Sequence, residues 1–161
     1  WKFSVSVTTR EKRNNEVDGV DYEFVSKEKF TALERFGELI ETQWVHGNRY
    51  GTRIEPLEQI INSGGIMLFD VDVKGATDLI EEFVEDIVSI FIEPPGINDI
   101  DKKESLSERM QKRGDNETLI KQRLKRFDFE LSFKETFNFS FVNEDLDEVT
   151  NEIEKIIKEN I

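Results

Sequence analysis

The sequence has no cysteine, one histidine and three prolines in 161 residues. Without cysteine there is no disulfide framework and no thiolate metal site. A single histidine, His46, excludes a histidine-rich zinc centre. No apolar run approaches the roughly 20 residues that a membrane-spanning helix needs. No secretory signal pattern opens the sequence. A cytoplasmic location without a membrane partner is expected. Positive charge is also scarce: 22 Lys and Arg stand against 35 Asp and Glu, a formal net charge of -13. That excludes nucleic acid as a general partner, because gripping a phosphate backbone needs a basic face. It does not exclude a small anionic ligand, which responds to local charge more than to the total.

What is present suits one water-facing domain with a real core: 35% charged and 37% hydrophobic residues. The arginines cluster, Arg10 with Arg13, Arg109 with Arg113, then Arg123 and Arg126. Arg126 reads as part of a solvated helix face. Residues 2–7 (KFSVSV) alternate apolar and hydroxyl groups, the period of a strand. Tyr22 to Val25 reads as a short strand, and Ser26 caps a helix through Phe36 that Gly37 closes. Leu39 to Val45 reads as a strand and Gly47-Asn48 as a turn. Pro56 suits the first turn of a helix to about Asn62, stopped by Gly64-Gly65. Ile66 to Val71, Ile87 to Ile92 and Phe137 to Val142 read as buried strands. Residues 75–85 are helical in spacing, 96–104 read as loop, Glu117 to about Lys134 as one long helix, and Asp145 to Lys158 as an amphipathic helix. Strands alternating with helices predict an α/β fold with a mainly parallel sheet.

Eight stretches carry a resemblance, in order along the chain. They are SVSVTTREKR (4–13), EVDGVDYEFVS (16–26), HGNRYGT (46–52), LFDVDVKG (68–75), FIEPP (91–95), RMQKRG (109–114), IKQRL (120–124) and VNEDLDE (142–148). Each is weak alone, but the ordered set is specific, and the chain resembles the guanylate kinase family over essentially its whole length. The resemblance implies a P-loop nucleoside monophosphate kinase-like parallel sheet. It implies a core from residues 1–7 and 53–161 with a helical lid at about 96–124, and an inserted GMP-binding subdomain at 8–52. It implies ATP-dependent phosphorylation of GMP or dGMP to GDP with Mg²⁺, in purine nucleotide metabolism. The family's glycine-rich loop, G-x-x-x-x-G-K-[ST], holds the ATP phosphates. The sequence does not contain that pattern, so loop and first strand are expected upstream of residue 1. The alternative is a non-catalytic guanylate kinase-like module that binds partner proteins.

Residue by residue, the resemblance gives Arg10, Arg13, Tyr22 and Tyr50 the acceptor phosphate. The chemistry agrees. Arginine forks make charge-assisted bonds to phosphate, phenols add neutral donors, and two clustered guanidinium groups are easiest to explain with an anion between them. The competing reading is a loop stabilised by Asp18 or Asp21 pairing with the arginines. The positions matching Ser6, Glu41, Thr52 and Asp72 hold guanine in the family. A carboxylate such as Glu41 accepts from the guanine N–H donors, and hydroxyls serve O6; the competing reading puts Glu41 on an exposed strand face. Asp70 and Asp72 fall on one face of their strand by period. Asp70 matches the Mg²⁺ and phosphate region, acting through water with no direct metal ligand, and either aspartate could instead cap the next helix. Arg109, Arg113 and Arg123 match lid arginines that act, with Arg10, on the transferring group; the competing partners are Glu108 or Glu117. Asn143 matches a residue near the donor adenine, or caps the last helix. Two departures stand out: Arg49 where relatives are often aromatic, and a longer, more charged stretch from Gly96 to Ser107.

Overall fold

The alternation in KFSVSV does not run through as one strand. In the computed structural model, which describes residues 1–45 and 47–160, it splits into β1 (Lys2–Phe3) and β2 (Val7–Thr8). His46, which opens the HGNRYGT motif, and Ile161 lie outside the described residues. The backbone changes partner between the two strands: the Ser4 N–H donates to the Leu68 carbonyl (2.8 Å), whereas the Ser6 carbonyl accepts from the Glu23 N–H (2.9 Å). Two units divide the chain, Trp1–Val84 and Glu85–Ile161.

In the first unit, β1 pairs in parallel with β6 (Met67–Leu68). β2 enters a separate four-stranded sheet with β3 (Glu23–Phe24), β4 (Leu39–Val45) and β5 (Asn48–Arg53), in the order β3-β2-β5-β4. β2 runs parallel to β3 and antiparallel to β5, and β4–β5 form a hairpin. The helix read from Ser26 is α1 (Lys27–Arg35): the Ser26 hydroxyl accepts from the Lys29 N–H, and Gly37 takes the left-handed φ of 67° that ends it. Phe30 and Leu33 of α1 bury against Val7, with Val25 and Leu39 packed alongside, so the strand that leads to Arg10 is anchored in the core. α2 (Ile54–Asn62) follows β5, and α3 (Val73–Glu82) follows β6. β6 is shorter than the apolar run suggested. Asp70 and Asp72 therefore lie beyond the strand and do not share a strand face.

In the second unit, β7 (Ile90–Glu93) and β8 (Phe139–Val142) pair in parallel through a helical crossover. That crossover comprises α4 (Asp99–Lys112), α5 (Glu117–Leu124), α6 (Phe127–Leu131) and a 3₁₀ turn (Lys134–Thr136). Residues 96–104 are not all loop: Asn98 caps α4 by accepting from the N–H groups of Ile100 and Asp101, and Asp99 and Asp101 in the first turn complement the helix dipole. The long helix expected from Glu117 is broken. The Arg126 N–H bonds back only three residues, to the Arg123 carbonyl (2.9 Å), and this tightened turn buries Phe127. Arg126 is mostly buried and pairs with Glu130, so it is not a solvated face. β8 alternates half-buried and exposed residues, so it is not buried on both faces. α7 (Leu146–Glu159) closes the chain, capped by Asp145. Among the described residues, no helix is long and apolar enough to cross a membrane.

Candidate functional site

The hydroxyl-rich strand pins the turn that carries Arg10. The Thr8 hydroxyl donates to the Arg49 carbonyl (3.0 Å) and accepts from the Arg10 N–H (3.2 Å), and the Thr9 hydroxyl accepts from the Arg49 N–H (2.9 Å). Arg10 Nε then donates to the Tyr50 hydroxyl (3.3 Å). Its Cζ lies 5.1 Å from the Tyr22 ring centre and 5.5 Å from that of Phe24. Tyr22 and Tyr50 meet edge to face at 6.0 Å. The structure thus brings together Arg10, Tyr22 and Tyr50, with Arg13 beside them. Burial, and then the charge of Asp70, raise the Tyr22 phenol above its ordinary range, so Asp70 lies within electrostatic reach of this cluster.

The anion between the two arginines is a residue of the chain itself. Glu16, 9% exposed, takes Arg10 in a bidentate pair (2.8 and 2.9 Å) and stands 3.6 Å from Arg13 Nη1. Asp18 and Asp21 instead accept backbone N–H bonds, from Phe24 and Val17. Sequence reasoning missed Glu16. The available signal was its place at the head of the EVDGVDYEFVS stretch, three residues beyond Arg13.

Glu41 is buried, which overturns the exposed-face reading. The β4–β5 register shifts between Leu39 and Thr42, and such a bulge re-aims the side chains beside it. The Thr52 hydroxyl, itself fully buried, donates to Glu41 Oε1 (2.8 Å). Two glycines permit this seat. A Cβ on Gly51 would come 2.9 Å from the Glu41 carbonyl oxygen, and one on Gly75 would come 3.1 Å from Glu41 Oε2. Burial pushes the Glu41 carboxyl up to about 7; the Thr52 bond opposes this, and the charges of Asp72 and Asp78 add to it. Asp72 caps α3, its Oδ1 accepting from the Gly75 N–H (3.0 Å). Ser6 is half-buried and Asp70 is exposed.

Arg49 neither faces solvent nor joins the arginine–tyrosine cluster. Its guanidinium lies 4.3 Å over the Phe30 ring, pairs with Glu34 and donates to the Thr31 hydroxyl, so it clamps α1 to the sheet.

In the second unit, Arg113 and Arg123 converge on Asp115, between α4 and α5, and not on Glu108 or Glu117. Glu117 pairs with Lys121. Arg109 donates to the Asn143 carbonyl (2.6 Å). Asn143 does not cap α7, a role Asp145 fills. The charged stretch after Gly96 ties α4 down: Lys102 reaches buried Glu93 and Lys103 reaches Asp128.

A protein-family model described as Guanylate kinase matches residues 1–160. A guanylate kinase of Bradyrhizobium diazoefficiens is 40% identical over 157 residues, which cover 98% of this chain and 69% of the relative. One of Chlorobium chlorochromatii is also 40% identical, covering 96% of this chain and 79% of the relative. The crystal structure of guanylate kinase from Anaplasma phagocytophilum superposes with a TM-score of 0.82 at 38% identity, covering 97% of this chain and 73% of that one. With the motifs in order, the matched residues spanning nearly the whole chain and the α/β fold shared, this chain belongs to the guanylate kinase family.

Proposed function

We propose that the protein transfers a phosphoryl group from ATP to GMP or dGMP, in cytoplasmic purine nucleotide metabolism. The observation that carries this reading is a buried carboxylate–hydroxyl pair, Glu41 and Thr52, on the same sheet as the Arg10–Tyr50 cluster. A purine with N–H donors at one end and a phosphate at the other matches that order of groups. Guanine N1–H and N2–H would donate to Glu41. The Thr52 hydroxyl, now spent on Glu41, would turn to O6 with Ser6, and Asp72 would flank the base. Adenine lacks N1–H and the N2 amine and would leave a buried carboxylate unpaired, a mismatch that a site of this kind rejects by about 10⁴ or more.

Residues 8–52 would form the GMP-binding subdomain and about 96–124 the lid, on a core from 1–7 and 53–161. Arg10 and Arg13, with Tyr22 and Tyr50, would hold the acceptor phosphate. Arg109, Arg113 and Arg123 would supply positive charge to the transferring group, since phosphoryl transfer needs charge neutralisation more than covalent chemistry. Asn143 would lie toward the donor adenine. The lid set favours the enzyme over a protein-binding module, which has no use for three such arginines. Among the described residues, no group of three or more His, Asp or Glu gathers to hold a metal. Mg²⁺ would keep several of its waters and bind through substrate phosphates and one or two carboxylates. Asp70, exposed and near the arginine–tyrosine cluster, would meet it through water. When bound, Mg²⁺ would supply positive charge that offsets the negative charge of the phosphates.

The test is nucleoside diphosphate formation by a chain that carries the phosphate loop ahead of residue 1. Turnover with GMP and none with AMP is expected. Turnover with AMP and none with GMP overturns the reading.

A further inference from the structure

Arg10 is largely committed inside the protein. A guanidinium offers five N–H donors in a fixed fork. Nε reaches the Tyr50 hydroxyl (3.3 Å), Nη1 donates to the Glu11 carbonyl (2.7 Å) and Glu16 Oε2 (2.9 Å), and Nη2 donates to Glu16 Oε1 (2.8 Å). One Nη2 hydrogen remains for a ligand. Glu16 is as firmly held as the arginine it holds. It also accepts the backbone N–H of Arg13 (2.8 Å), and the Lys12 ammonium donates to its carbonyl (3.2 Å). The Arg10 fork, against the cost of burial, brings its carboxyl down to about 2, so it is ionised at any working pH.

We infer that Glu16 is a positioning residue of the acceptor-phosphate cradle: its carboxylate fixes the plane of the Arg10 fork and ties the Arg13 backbone to it. The inference rests on the function proposed above. An incoming phosphate monoester then meets two cations already aimed and does not have to gather them. It takes the remaining Nη2 hydrogen of Arg10, the side chain of Arg13 and the phenols. Preorganisation of this kind gives affinity by lowering the ordering cost of binding. Glu16 is not a stand-in that the phosphate displaces. Releasing it would strand a buried carboxylate beside the Arg13 amide.

Calorimetric titration with GMP and with guanosine tests this, in the wild-type chain, Glu16→Gln and Glu16→Asp. Glu16→Gln keeps the shape but loses the charge and one acceptor. It is expected to weaken GMP about tenfold, the worth of roughly one charged hydrogen bond, and to leave guanosine unchanged. Glu16→Asp is expected to recover part of the loss. Equal weakening of both ligands would report a merely structural role and overturn the inference. Unchanged GMP affinity overturns it, and tighter GMP binding overturns it by making Glu16 a competitor. Glu16→Asp is read against the same outcomes and decides alone if Glu16→Gln does not fold. A wild-type chain that binds neither ligand would instead overturn the GMP-site reading itself.

Discussion

Glu41 couples the proposed base recognition to pH. It is 7% exposed and has the Thr52 hydroxyl as its hydrogen-bond donor at 2.8 Å. Burial pushes its carboxyl from the ordinary 4.5 up to about 7, with Asp72 and Asp78 pushing the same way against the Thr52 bond. Guanine presents two N–H donors, which only the ionised carboxylate can accept together. Affinity for the base should therefore follow the ionised fraction, about a tenth at pH 6 and about nine tenths at pH 8. Guanosine is the probe of choice, because the second ionisation of a phosphate monoester, near pH 6, would overlap. Its binding is expected to tighten about tenfold from pH 6 to pH 8, with proton release that grows toward the low end. Glu41→Gln should flatten this profile and cost about 1.5–3 kcal/mol of binding at pH 8. The same shift acts on the unliganded fold. Between about pH 4.5 and 7 the unfolded chain has released a proton that folded Glu41 retains. Stability from this group is thus complete at low pH, falls through that window by about 3 kcal/mol and is level above it. A guanosine dissociation constant that is flat from pH 6 to pH 8 in the wild-type chain, or equally sloped in Glu41→Gln, would refute the reasoning.

Two further outcomes follow from close contacts. In Gly75→Ala the new Cβ would lie 3.1 Å from Glu41 Oε2, so the carboxylate must shift by a few tenths of an ångström. Guanosine titration should show weaker binding and narrower discrimination against adenosine, while unfolding stability stays within about 1 kcal/mol because Ala favours the helix; unchanged affinity would show that the seat is soft. Glu93, 2% exposed, holds Lys102 and Lys134 each at 2.6 Å, one at either end of the helical crossover. Glu93→Ala should cost roughly 3 kcal/mol in denaturant unfolding, near the low end for a broken buried pair because Lys134 is a third exposed and can turn to water. A loss below about 0.5 kcal/mol would put the triad in the class of surface pairs.

Local chemistry determined a good part of this molecule. The Ser26 cap and the Gly37 stop bound α1, the strand Leu39–Val45 was legible from its own residues, and the arginine, tyrosine and acidic motifs announced the family by their order. Each of those signals lies within one element or in simple spacing along the chain. Tertiary structure decided the rest, because the partners come from different elements. Whether Glu41 was exposed or buried depended on a bulge in β4 and on two glycines, one on β5 and one on α3. The anion between Arg10 and Arg13 was Glu16, brought round by an irregular loop whose path no periodicity encodes. Arg49 spent its charge on α1, and Arg113 and Arg123 met at Asp115 across a turn. Sequence specifies which charges are available. Which of them pair is set by the burial and approach of surfaces that only the folded chain brings together.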